Sequence, residues 1–352
     1  MVGAGAGDAI TTSALRLRAA LRRRGASEIF AHHIDPGVAG EVRPLSAFAQ
    51  RQGARADDVI VLHVSIGDPA VTAFLDSSPE RVVAVYHNIS PSEPFKPFDP
   101  TFAALLADGR TSLSALRSRV IATLATSVFN ARELEALGFT DVRTVPPLVD
   151  PRRLVDLTPD VATSHHLATE LDGPVVLYVG QLLPHQRQEL LIAAYHALVT
   201  YHRPDARLVL VGAGRIPRYR HVLQTYIQEL HLDGAWLTGA VTDAQLAAFY
   251  RRADVFVSAS EHEGFGIPLL EAMAFDVPVV ARAAAAVPET VGDAALLVPA
   301  DDSVLVLAEA MAAMLDRASL RAGFVSAGRR RLAQLDIGEQ ETDMVDALEA
   351  IA

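Results

Sequence analysis

The chain has 352 residues, more than one hydrophobic core usually serves, so two domains of roughly 150 residues each are expected. It has no cysteine, which excludes disulfides, thiolate zinc sites and a cysteine nucleophile, and its formal net charge of -11 speaks against wholesale binding of nucleic acid or anionic lipid. Half of the residues are hydrophobic, but in short runs that never approach the ~18 apolar residues of a membrane span; with no cationic, apolar leader at the N-terminus, a soluble cytoplasmic protein is expected.

Gly3, Gly5 and Gly7 precede a helical stretch from Ile10 to Arg24, with no apolar strand before them. A nucleotide-binding glycine turn follows a strand, so this signal is weak and the first strand of the N-terminal sheet is missing from the pattern. Arg22-Arg23-Arg24 reads as a solvated basic face, as does Arg329-Arg330-Arg331 near the other end. The runs Val59 to Leu62 and Val82 to Val85 are β-branched and bounded by turn residues, the marks of buried parallel strands, and the second leads into Tyr86-His87-Asn88. Four prolines between Ser90 and Thr101 describe a rigid loop, which with its phenylalanines could also shape an acceptor site.

A polar, proline-bearing segment from Pro146-Pro147 to Gly173-Pro174 marks a boundary. The expected division is an N-terminal domain over 1–160, a C-terminal domain over 161–335, and a last helix over 336–352 free to pack back on the first domain. Further strands are read at Val175 to Val179, Leu208 to Val211, Asp254 to Ala259 and Val277 to Val280, with helical stretches between them. Strand and helix alternating from end to end predict an α/β, doubly wound architecture with right-handed crossovers.

The richest local pattern is Glu261-His262-Glu263-Gly264-Phe265-Gly266-Ile267-Pro268-Leu269-Leu270-Glu271. It reads as strand, loop, helix: the glycines allow a tight turn, and proline suits a first helical turn because its missing N–H costs nothing there. A helix opening near Ile267 presents unpaired amides and the positive end of its dipole, a site for a phosphate or diphosphate. Glu271 hangs near the same spot, suited to ribose hydroxyls, and Glu263 on the loop faces the far side of the anion, where a sugar would lie. Taken alone, the residues fit equally well a solvated loop carboxylate and a helix-dipole partner.

Glu263, seven residues and Glu271, with Gly-Phe-Gly inside, resemble the E-x7-E donor motif of retaining glycosyltransferase family 4. The resemblance extends to Val179-Gly180 with Pro184-His185, to Val211-Gly212-Ala213-Gly214, to Leu237-Thr238-Gly239-Ala240-Val241 and to Val287 through Val298. It implies a GT-B fold of two Rossmann-like, doubly wound domains facing across a cleft. The implied activity is transfer of a sugar, with retention, from a nucleoside diphosphate sugar to an unknown acceptor hydroxyl. No metal and no cofactor enter: there is no Asp-x-Asp motif, and Asp57-Asp58 and Asp301-Asp302 read as surface turns.

By the same resemblance Glu263 and His87 are catalytic candidates, and Arg187 joins them as a nearby cation. Glu271, Gly264, Phe265, Gly266, Ile267, Gly180, Gln181, Gln186, Arg215, Gly239 and Val241 are the donor-binding ones. Two positions depart from the family, which places an arginine directly after the glycine of the first C-domain turn and a lysine five or six residues on; this chain has Gln181 and Gln186 there. Glutamine hydrogen-bonds an oxyanion without neutralising it, so Arg187, then Arg215, are the nearest replacement cations. The departure leaves room for a degenerate sugar-nucleotide-binding protein that assists an active partner. A third reading is a GT-B-type epimerase or hydrolase using His63, His87 and Asp68.

Overall fold

A computed structural model describes residues 1–50, 58–301 and 303–351, so Asp57 and Asp302 lie outside the described residues. The chain separates into two compact units, one made of Met1–Glu93, Thr101–Val149 and Asp336–Ala352, the other of Pro94–Pro100 and Asp150–Leu335.

The first unit begins with β1 (Gly3–Ala4), α1 (Ala9–Leu21), β2 (Phe30–Ala31), β3 (His33–Ile34) and β4 (Arg43–Pro44). It continues with β5 (Val59–Val64), α2 (Pro69–Ser77), β6 (Arg81–Tyr86), α3 (Pro100–Leu116), β7 (Val120–Ala125), α4 (Val128–Ala136) and β8 (Val142–Thr144). Strands β5-β6-β7-β8 form one parallel sheet. Parallel strands are covered on both faces, which is why β6 is an unbroken apolar run with Val82 to Tyr86 buried. The glycine-rich start does contain a strand where the sequence pattern shows none. Two residues are too short and too glycine-rich to stand out, and β1 pairs with β3 in a small sheet of its own. Asp8 then caps α1, accepting from the amide of Thr11 at 2.8 Å.

The second unit carries α5 (Val161–Glu170), β9 (Val175–Val179), α6 (Gln188–Tyr201), β10 (Arg207–Val211), α7 (Pro217–Glu229), β11 (Ala235–Gly239) and α8 (Asp243–Arg252). After these come β12 (Val255–Ser258), α9 (Ile267–Ala274), β13 (Val279–Arg282), α10 (Val287–Val291), β14 (Ala295–Val298), α11 (Val304–Asp316) and α12 (Ala318–Ala333). All six strands are parallel in the order β11-β10-β9-β12-β13-β14. The order reverses between β9 and β12, and a crevice opens at the carboxyl ends of strands at such a switch point. The excursion 94–100 belongs to this unit: Phe95 is buried with its ring 5.3 Å from that of His185, and Phe98 meets Tyr219 edge-on at 5.0 Å.

The last helix, α13 (Ile337–Glu349), belongs to the first unit, where Met344, Val345 and Leu348 join Leu17 and Ala20 of α1 in one apolar cluster. Of the basic runs, Arg331 is half-buried and donates to the carbonyls of Thr290 and Glu289, both at 2.8 Å; the other arginines are exposed, and Arg23 pairs with Glu341, Arg24 with Glu349, and Arg329 with Asp276 at 2.6 Å. Such surface pairs contribute at most about 1 kcal/mol each.

Candidate functional site

The switch point brings two chain segments together, the turn after β9 and the loop after β12. The amide of Glu261 donates to the carbonyl of His185 at 3.0 Å, and Ser260 Oγ donates to the same carbonyl at 3.4 Å. Beside them the β10 turn packs so closely that a Cβ on Gly212 would sit 1.8 Å from the carbonyl oxygen of Gly180, so a glycine is required there. The amides of Gly180 and Leu182 donate to Val211 and Ala213, holding the two glycine turns side by side.

Gly264 and Phe265 lead into Gly266, whose φ of 97° is a left-handed conformation that glycine adopts without strain. Helix α9 then starts at Ile267, and no side chain caps it. Phe265 is pinned by Thr290 Oγ1, which donates to its carbonyl at 2.6 Å. The two glutamates of the motif lie on either side of this helix start and differ in their partners. Glu271 is 4% exposed. Tyr250 Oη donates to its Oε2 at 3.0 Å, and Arg153 Nη2 lies 3.3 Å from its Oε1 while pairing with Asp243 at 2.7 Å. Burial pushes the Glu271 carboxyl above the usual carboxylate range, against the opposing pull of Arg153 and Tyr250.

Burial likewise raises the Glu263 carboxyl, although Gln186 and Ser260 donate hydrogen bonds to it. Gln186 belongs to a larger buried network. Tyr178 Oη donates to Gln186 Oε1 at 3.0 Å and accepts from Gln188 Nε2 at 2.8 Å. The next hydroxyl, Tyr219 Oη, lies 2.9 Å from Gln188 Oε1 and 2.6 Å from Glu189 Oε2. The Tyr178 hydroxyl is pushed well up by burial and by the Glu263 charge, so it stays protonated. A chain of neutral side chains thus runs from Glu189 through two tyrosines and two glutamines to Glu263.

Arg187 sits at the end of the same turn with φ 54°, its Nε donating to Glu189 at 2.5 Å and its Nη1 to Glu261 at 2.9 Å. The cation the sequence offers in place of a lysine is thereby engaged by two carboxylates. Gln181 exposes its side chain while its carbonyl accepts from Gln188 Nε2 at 3.1 Å, and Arg215 is exposed just beyond Gly214. Gly239, with φ 78°, ends β11, and Val241 lies two residues beyond it. An open groove of about 550 Å³ runs there, lined by Thr163, His166, Trp236, Thr238, Val241 and Gln245, with His166 stacked on Trp236 at 5.3 Å.

In the first unit His87 stands just beyond β6, its Nε2 2.8 Å from Nδ1 of His63, with the rings stacked at 5.1 Å. Burial lowers His87 to about 4 and His63 well below its ordinary value, so both are neutral at pH 7. Asp68, the third member of the epimerase reading, caps α2 through Oδ1.

Sequence reasoning missed Arg153, Tyr178, Gln188, Tyr219 and Tyr250. Tyr178 carries the lone polar atom of an otherwise apolar strand and could have been singled out, since a buried hydroxyl needs a partner. Arg153 lies in the polar segment after the boundary, where nothing local marks it.

Two parallel α/β units, the second with the 3-2-1-4-5-6 strand order and a helix opening at its switch point, define the GT-B class of glycosyltransferase fold. Solved structures agree across the chain. The sucrose-phosphate synthase of Thermosynechococcus elongatus superposes with a TM-score of 0.76 at 20% identity, covering 100% of this chain and 95% of that one. HepE of Anabaena, in complex with UDP and glucose, gives 0.78 at 18%, covering 99% and 98%. Residues 163–331 match the family described as glycosyl transferases group 1. Among curated relatives, a GDP-mannose-dependent monoacylated alpha-(1-6)-phosphatidylinositol monomannoside mannosyltransferase of Corynebacterium glutamicum is 29% identical over 237 residues, 64% of this chain and 61% of its own length. A GDP-mannose-dependent alpha-mannosyltransferase of Mycolicibacterium smegmatis is 38% identical over 171 residues, 47% and 40% of the two chains. The chain therefore spans less than two thirds of these two relatives.

Proposed function

We propose that the protein transfers a sugar, with retention and without a metal, from a nucleoside diphosphate sugar to an acceptor hydroxyl. The observation that carries this reading is the pair of glutamates, Glu263 and Glu271, set on either side of an uncapped helix start at the switch point. In this reading the α9 amides receive the diphosphate, and Glu271, oriented by Tyr250 and Arg153, takes the ribose hydroxyls. Glu263 stabilises positive charge that develops on the sugar, and the leaving phosphate accepts the acceptor's proton, so positioning supplies most of the rate. GDP-mannose is the first donor to try, because two relatives are named as dependent on it.

A second reading, a sugar-nucleotide-binding protein that assists an active partner, rests on Gln181 and Gln186 and on the double engagement of Arg187 by Glu189 and Glu261. Isothermal titration with UDP-, GDP-, ADP- and TDP-sugars, run beside a donor-hydrolysis assay, separates the two. Binding with slow hydrolysis, both lost in Glu271→Ala, supports the transferase. Binding without hydrolysis supports the second reading, and absence of binding refutes both.

A further inference from the structure

Two histidines and a carboxylate unused by the proposed transfer converge in the first unit, where sequence reasoning placed no metal ligand. We propose that His32, His33 and Asp68 form a binding site for one divalent transition-metal ion of the zinc, cobalt or nickel kind.

Neighbouring residues of an extended strand point to opposite faces. At the bend between β2 and β3, however, the amides of His32 and His33 both donate to the carbonyl of Val2, at 3.1 and 2.9 Å. The backbone turns, and the two rings come to lie with centroids 4.2 Å apart. Both reach the same oxygen: His32 Nδ1 is 2.8 Å and His33 Nε2 3.6 Å from Asp68 Oδ2. All three ligand atoms fall within 4.8 Å of one another. Two ligands bound about 2.1 Å from an ion at the tetrahedral angle stand about 3.4 Å apart, and the observed separations straddle that value.

The carboxylate is already oriented for the task. Asp68 Oδ1 accepts from the amides of Ala70 and Val71 at 2.8 and 3.1 Å, capping α2, which leaves Oδ2 to the imidazoles. This is the kind of outer-shell support that fixes a metal ligand's direction. The Asp68 side chain is 8% exposed, whereas those of His32 and His33 are 40% and 69% exposed, so an ion has an entry path and water can complete its coordination. Two imidazole nitrogens and one carboxylate oxygen suit zinc, cobalt and nickel, while magnesium and calcium require oxygen donors. A bound ion would tie the β2–β3 bend to the start of α2, two segments otherwise joined by a single short hydrogen bond among the described residues of this cluster.

The test uses the full chain, stripped with a chelator and titrated with zinc chloride by calorimetry, with cobalt absorption as a second readout. One site per chain is expected, with no heat from magnesium. His33→Ala and Asp68→Asn are each expected to weaken zinc at least about tenfold and to abolish the ligand-field bands of cobalt. Both variants should fold, since His33 is exposed and asparagine caps a helix as well as aspartate does. Zinc affinity unchanged in both variants, or no binding by the wild-type chain, would overturn the proposal, and either result leaves the reading of Glu263 and Glu271 untouched.

Discussion

Acid should loosen the first unit through the His63–His87 pair. Both rings are held neutral by burial and meet at 2.8 Å, whereas in the unfolded chain each titrates near its ordinary value of 6.5. Below that value the unfolded state binds more protons than the folded one, so folding stability falls as pH falls, until the folded value is reached. For His87, lowered to about 4, the difference of 2.5 units amounts to about 3 kcal/mol in full and about 2 kcal/mol already at pH 5. His63 shifts the same way and adds to the effect. Amide exchange in β5 and β6, followed in urea at pH 7.5 and pH 5, reads this unit without interference from the other. The wild-type chain should lose protection at pH 5 by roughly that amount, and a His63→Gln, His87→Gln double variant should lose much less. An equal acid loss in the variant would refute the reasoning.

Replacing Tyr178 by phenylalanine removes the hydroxyl that joins Gln186 to Gln188. A stability loss of about 1–3 kcal/mol by thermal unfolding is expected, with donor hydrolysis slowed because Glu263 loses an orienting chain. Gly212→Ala should cost at least about 1–3 kcal/mol, since the added methyl meets the carbonyl of Gly180 and the two turns must separate; an unchanged melting temperature would contradict this. If the proposed transfer is limited by charge at the diphosphate, the double substitution Gln181→Arg, Gln186→Lys should raise donor turnover by up to about 10²-fold, read as kcat/KM.

The sequence by itself determined the alternation of strands and helices, because a buried parallel strand must be an apolar run and the glycines and prolines between runs must be turns. The strands read at 175–179 and 208–211 reappear as β9 and β10, and the helix read from Ile267 as α9, within a residue. The turn at 263–266 and the helix that follows it were legible too, since the Gly-x-Gly turn and the opening helix are local events. Beyond these, contacts between residues far apart in the chain decided the outcome. Arg153 meets Glu271, Arg187 meets Glu261, and the tyrosine–glutamine chain reaches Glu263 only because the switch point sets β9 beside β12. The pairing of β1 with β3 and the gathering of His32, His33 and Asp68 are likewise tertiary, and no spacing rule joins residues so separated. Periodicity registers what a residue does for its own element, whereas a carboxylate's partner and a histidine's desolvation are set by what the fold packs against them.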